Sequence, residues 1–456
     1  CSHFLELSRN DGQTVLDLAF DYADAGLFAD AIALLERHHT HPVAPVAVPN
    51  PLGRTQSTCY ALAWLKGREG APASAIAAKL AAARVQSSDY FFPSRLHEQA
   101  VLAWAVARPG PDPLAHFALG NNLFDLKRHE NAITAWEKSV ADGASFATVH
   151  RNLGIGYWNV RRDGARARVA YERALALDPS DARLIYEFDQ LRKKLNEPLV
   201  ERLAFLEFHR TLALQRDDAS VELAALYNLL DRPADALTLL TSRRFHPWEG
   251  GEGAVLRQYT TARLLLGQQA LVAGDATGAH EHFAHAMDAP PNLGEAYHLF
   301  RAKADVNYWL GGALRALGRE PDAVRHFEAS AAESGDFSEM AVTAHSPLSY
   351  YRGLSLRELG REAEATGLFA ELHAFAEARI GQPAQIDYFA TSLPNLLVFE
   401  ENLQSRRDAE HHLLAAFGAH GLGDTATAAR HLERTLAHSC SDPHAVELTR
   451  RISQQP

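Results

Sequence analysis

Apolar residues along this chain recur at three- and four-residue spacing in runs broken by short polar turns, the period of amphipathic helices packed in pairs. The clearest stretch is residues 113–140, PLAHFALGNNLFDLKRHENAITAWEKSV, with Leu119-Gly120 in its first helix and Ala132 and Trp136 in its second. The next, ATVHRNLGIGYWNVRRDGARARVAYERALALDPSD, repeats the marks as Leu153-Gly154, Tyr157, Tyr171, Ala174 and Pro179. Gly120 and Gly154 stand 34 residues apart, so the unit recurs. A small residue lets the first helix lie close to the second, and an Ala twelve positions on does the same from the other side. The aromatic four residues later shares that face and is expected to fill the gap to the next unit. The closing Pro ends the second helix.

The second half carries the same marks at a longer step. Gly267, Gly311 and Gly353 recur at 44 and 42 residues, and Gly274/Gly318/Gly360, Ala279/Ala323/Ala365 and Phe283/Phe327/Phe369 keep the same register. The register returns as Gly423, Ala428 and Leu432, and it reaches back to Ala236 and Leu240 and to Gly26, Ala31 and Leu35. The pattern predicts an all-α chain of roughly 18 to 20 helices with essentially no sheet. Three stretches of one continuous solenoid are expected: irregular helical repeats over 1–112, regular repeats over 113–245, and longer-period repeats with inserted loops over 246–456. Steps beyond 34 residues place insertions at 41–58, 87–96, 243–253, 334–347 and 380–407, on one face of the array, where binding loops tend to sit.

Of 456 residues, 47% are hydrophobic, enough for a continuous core. The net charge is −11 and no Lys/Arg cluster stands out, which argues against a nucleic-acid partner. Cys1, Cys59 and Cys440 have no metal-binding or disulfide spacing. No apolar run approaches the length of a membrane span. A bacterial cytoplasmic location is expected, with a periplasmic or lipid-anchored form through Cys1 as the alternative; a domain excised from a longer protein also fits a chain beginning with Cys.

The most informative insertion is FHPWEGGEG, residues 245–253. Its glycines open backbone conformations closed to other residues. They bracket Glu249 and Glu252 beside Trp248 and His246, an aromatic platform with carboxylates that suits a sugar ring or acid–base work. A plain structural reading stands beside it: a turn before a helix, with Glu residues favourable to the helix dipole. The insertion QIDYFATSLPNLLVFEENLQ adds Asp387, Tyr388, Glu400 and Glu401, and SSDYFFPSRLHE adds Tyr90, Phe91, Phe92, Arg95 and Glu98. Both also read as plugs at helix junctions. The histidine runs, His38-His39-Thr40-His41 and His280/His282/His285, lack a helical zinc pattern and read as solvent-exposed; no metal or other cofactor is expected. No nucleophile elbow or phosphate loop is present.

Residues 113–181 closely resemble the tetratricopeptide repeat family, and the looser units extend the resemblance over most of the chain. It implies a right-handed α–α superhelix whose first helices line a groove for peptides or protein surfaces. Matched by repeat position to that family's carboxylate clamp, Asn121 and Asn152 fit the two Asn places and Arg183 a Lys place. Phe117 replaces the first Lys and Glu187 stands where Arg belongs, which disfavours an acidic chaperone tail. A narrower resemblance, carried by SDYFFPSRLHE, HFALGNNLFDLKRHENAITAWEKS, FHPWEGGEG and DYFATSLPNLLVFEENL, is to a bacterial family in which a mutarotase-like β-sandwich precedes such an array. It implies that an adjoining β-domain precedes this chain and links the whole to carbohydrate. The expectation is a binding scaffold without catalysis of its own, holding a protein, a peptide or that domain. The alternative is a carbohydrate-active protein with a loop-built site, its catalytic candidates Glu249, Glu252, Asp387 and Glu400. Binding candidates are Trp248, His246, Asn121, Asn152, Arg183 and Tyr388.

Overall fold

A computed structural model describes Leu7 and residues 11–40, 54–246, 248, 250–298, 301–338, 341–384 and 398–454. Twenty-three α-helices occur among the described residues, more than the 18 to 20 expected. The surplus includes a single-turn helix and an additional helix at the C-terminal end. The chain divides into two compact units, residues 1–180 and 181–456, a boundary that falls within the 113–245 stretch.

The first unit contains α1 (Gly12–Asp24), α2 (Phe28–Thr40), α3 (Arg54–Glu69), α4 (Ala73–Arg84), α5 (Leu96–Val106), α6 (Pro113–Asp125), α7 (His129–Ala141), α8 (Ala147–Asn159) and α9 (Gly164–Leu177). The second contains α10 (Ala182–Lys194), α11 (Leu199–Phe208), α12 (Arg210–Ala213), α13 (Asp217–Leu229), α14 (Pro233–Thr241), α15 (Ala254–Val272), α16 (Ala276–His285), α17 (Ala304–Ala316) and α18 (Glu320–Ala332). It continues through α19 (Leu348–Glu358), α20 (Glu362–Glu377), α21 (Leu403–Gly421), α22 (Thr425–His438) and α23 (Pro443–Gln454). An antiparallel hairpin, β1 (Asp336–Ser338) with β2 (Ala341–Thr343), occupies the 334–347 insertion. Both units are all-α helical-repeat solenoids.

The repeat marks work as close-packing pairs. Ala132, Ala279, Ala323 and Ala365 are fully buried. A methyl group added at Gly120, Gly154, Gly267 or Gly353 would collide with Trp136, Tyr171, Phe283 or Phe369 respectively, and one at Gly311 would lie 2.7 Å from the Phe327 ring. The aromatic therefore packs onto the glycine of its own unit, where the sequence pattern pointed to the gap before the next one. Each such ring, once buried, contributes roughly 1.5–3 kcal/mol. The second register of glycines closes the turn between paired helices: Gly318 has φ +71°, a left-handed position that suits a residue without Cβ.

The second unit folds back so that its early and late helices meet. Asn196 Nδ2 donates to Leu436 O at 3.1 Å, and the Cys440 amide donates to Asn196 Oδ1 at 2.6 Å. Arg202 is fully buried among Asp189, Glu222 and Ser441, with Nη2 at 2.7 Å from each carboxylate. Burial pushes the Glu222 carboxyl up, but the Lys193 ammonium and Arg202 guanidinium outweigh it and hold the group at about 2.

Candidate functional site

In the first unit, the inserted segment 87–95 is held by side chains from three helices, α3, α5 and α6. Gln56 of α3 donates to Ser87 O at 2.8 Å and Asp89 O at 3.2 Å. On α6, Asn121 Nδ2 donates to Phe91 O at 3.1 Å and Asn122 Nδ2 to Pro93 O at 3.2 Å. Glu98 accepts the amides of Ser94 and Arg95, and its other oxygen accepts Ser57 Oγ at 2.6 Å. Phe91 is buried with its ring stacked 6.1 Å from Tyr60, while Tyr90, Phe92 and Leu96 are left exposed at 53, 57 and 71%. The segment is thus gripped through its carbonyls and displays apolar side chains.

Asn121 and Asn152 do come together. Asn121 Oδ1 accepts Trp136 Nε1 at 3.1 Å and Asn152 Nδ2 at 2.9 Å, so a carboxamide ladder joins α6 to α8. Gln56 and Asn122 were missed by sequence reasoning. The doubled Asn at 121–122 was the available signal, since a buried carboxamide must find partners. Phe117, where a clamp Lys would stand, is fully buried and meets Phe146 edge-on at 5.0 Å. Arg183 opens the second unit and pairs at 2.7 Å with buried Glu187.

The 245–253 turn is fixed by partners from elsewhere in the second unit. Phe245 is buried, its amide donates to Asn292 O at 2.8 Å, and the Arg243 guanidinium lies 4.9 Å over its ring. Asn292 returns two bonds of 2.8 Å to Leu240 O and Arg243 O. His246 is exposed and bonds to Asp217 through its backbone and ring nitrogens. Trp248 is half-buried, and its indole covers Gly251 so closely that a side chain there would collide. Gly250 and Gly253 have φ +82° and +73°. Glu252 is exposed. The amides opening α15 are taken by Glu295, which accepts Gly253 N at 3.0 Å and Leu256 N at 3.2 Å. Burial raises the Glu295 carboxyl despite those bonds and Arg257 nearby. The stretch between α16 and α17, carrying Glu295 and Asn292, was missing from the expected insertions, although the 44-residue step from Gly267 to Gly311 leaves room for it.

Glu249, Asp387 and Tyr388 lie outside the described residues. Glu400 is exposed, and Glu401 pairs with Lys194 and Arg406. His285 is exposed as expected, but His280 and His282 are half-buried, with His282 Nδ1 3.3 Å from Arg263. That is a correction: helix pairing tucks one edge of the helix against α15. Among the described residues no group of three or more His, Cys, Asp or Glu side chains is placed to hold a metal ion, and no helix is long and apolar enough to cross a membrane.

No family model matches the chain. Solved structures to which it is similar include a tetratricopeptide repeat protein from Parabacteroides merdae, at 14% identity over 67% of this chain and 99% of that chain, TM-score 0.27. YrrB, a TPR protein with an unusual peptide-binding site, matches at 16% identity over 50% of this chain and 90% of its own, TM-score 0.21. The APC/C hetero-tetramer Cut9–Hcn1 matches at 13% identity over 99% and 91%, TM-score 0.29.

Proposed function

We propose that this tetratricopeptide-type array is a scaffold that holds a polypeptide partner and carries out no chemistry itself. One observation carries the reading: first-helix carboxamides, Asn121 among them, already grip a stretch of polypeptide by its carbonyls. Such donors read backbone and not sequence, which is what a peptide-holding face requires. The adjoining β-domain implied by the narrower resemblance is the partner of choice. Its contact surface is built from Tyr90, Phe92 and Leu96, an exposed apolar group on an otherwise anchored segment. A second reading, carbohydrate binding, draws on the half-exposed Trp248 beside exposed Glu252 and His246.

One titration series separates them. The chain is titrated by calorimetry with the separately expressed β-domain and, in a parallel arm, with mixed oligosaccharides. Binding of the domain that weakens about tenfold or more in a Tyr90→Ser, Phe92→Ser double variant is the expected result. Both residues are exposed, so the fold should survive. Unchanged binding would remove this surface, and no binding would remove the partner. Saturable oligosaccharide binding abolished by Trp248→Ala would transfer the function to the 245–253 turn.

A further inference from the structure

The last helix, α23, lies against the first helices of several repeat units of the second unit. Ala445 and Leu448 are fully buried in one core cluster with Ala304, Tyr350, Tyr351, Leu413 and Phe417, and Ile452 packs at its edge. Spaced at three and four residues, these form one apolar stripe. On the flank, Glu447 Oε1 accepts Tyr351 Oη at 2.8 Å and Arg451 Nη2 at 2.7 Å. The Arg451 guanidinium lies 5.0 Å over Trp309 and 5.3 Å over Tyr351, so it is held between rings from α17 and α19. Arg450 donates to Leu229 O at the end of α13. A twelve-residue helix is thereby read by an apolar slot, an aromatic pair and a backbone carbonyl.

From this geometry we infer that the inner face of the second unit is a binding groove for an amphipathic helix bearing a Glu-x-x-x-Arg pair, and that α23 is its displaceable occupant. The partner is a helix of that chemistry supplied by another protein. The idea rests on the polypeptide-binding reading, but it concerns the second unit and not the surface at Tyr90 and Phe92.

Three features support displacement. A helix this short is marginal by itself and depends on packing for its order. Half of its anchors, Glu447, Arg450 and Arg451, are charged, and partly buried ion pairs add little net stability because desolvation offsets attraction. The Trp309 indole Nε1 is buried without a hydrogen-bond partner, so one of the two rings that hold Arg451 is incompletely satisfied with α23 in place.

The test uses the chain ending at Asp442, the full chain, and a fluorescent peptide of residues 441–456. The shortened chain should bind the peptide saturably. A peptide carrying Glu447→Ala and Arg451→Ala should bind about tenfold or more weaker, as should the native peptide to the full chain, whose groove is filled. A folded shortened chain that ignores the peptide, or equal binding by both chains, overturns the proposal. Should the shortened chain not fold, hydrogen exchange on the full chain decides. Amides of α23 should exchange about tenfold or more faster than those of α17 and α19, through local release. Exchange of all three only by global unfolding overturns it. Failure of the β-domain titration leaves these outcomes unaffected, and the reverse holds too.

Discussion

Gly311 and Gly312 are neighbours on one helix, yet a methyl group meets opposite surroundings at each. At Gly311 it lies 2.7 Å from the Phe327 ring, and at Gly312 nothing stands within 4 Å. Gly311→Ala gains helix propensity of up to about 1 kcal/mol but overpacks the helix contact at a cost of about 1–3 kcal/mol. Overpacking wins, because Phe327 is 1% exposed and has no free direction in which to move. Gly312→Ala keeps the propensity gain alone and should stabilise by about 0.5–1 kcal/mol. Urea unfolding of the two variants should therefore shift the midpoint in opposite directions. Equal shifts would mean that the glycine–aromatic contact is not what sets the repeat.

At the scale of elements, three helices near the C-terminal end are joined by histidines. His412 Nδ1 of α21 and His431 Nδ1 of α22 stand 2.9 Å apart, and His431 Nε2 lies 3.1 Å from Glu377 of α20. Only one of two facing nitrogens can carry the shared proton. Burial lowers both histidines most, with Glu377 opposing; Asp408 also raises His412, and Arg430 and His373 further lower His431. A folded value below the ordinary 6.5 means that the unfolded chain takes up protons first as pH falls. Stability from this pair is thus fully present above about pH 6.5 and is lost as pH falls through the folded values. The denaturant midpoint should drop between pH 7 and pH 5, and His412→Gln should flatten that slope. A wild-type midpoint independent of pH over this range would refute the assignment.

Across the second unit as a whole, closure depends on Arg202. Its guanidinium satisfies Asp189 and Glu222 and reaches Ser441 239 residues along the chain. Arg202→Ala strands the fully buried Asp189 and leaves Glu222 with Lys193 alone, and should cost about 3–5 kcal/mol. Replacing Arg202, Asp189 and Glu222 together with apolar residues of similar volume should cost far less, since the stranded charges are then gone. Hydrogen exchange near residues 439–442 should quicken in Arg202→Ala and recover in the triple replacement. Equal destabilisation by both would place the effect in packing and not in charge.

The repeat itself was written in the chain. Gly311, Ala323 and Phe327 recur at fixed spacing because every unit solves one local packing problem, and a period survives as a pattern without knowledge of partners. Helix class and turn glycines followed from the same local rules. The adjacency of Asn121 and Asn152 was legible as well, since repeat position maps onto the face of a helix. What Asn121 and its neighbour Asn122 hold was not, because the Phe91 and Pro93 carbonyls reach them from an insertion about 30 residues earlier in the chain. Glu295 taking the helix start at Gly253, Arg202 meeting Ser441, and Arg451 entering between Trp309 and Tyr351 were equally silent in sequence. Each joins residues 42 to 239 positions apart, or an unrepeated segment to a repeated one. Periodicity fixes which side of a helix is apolar; only the fold-back of the second unit decides which distant side chain comes to cover it.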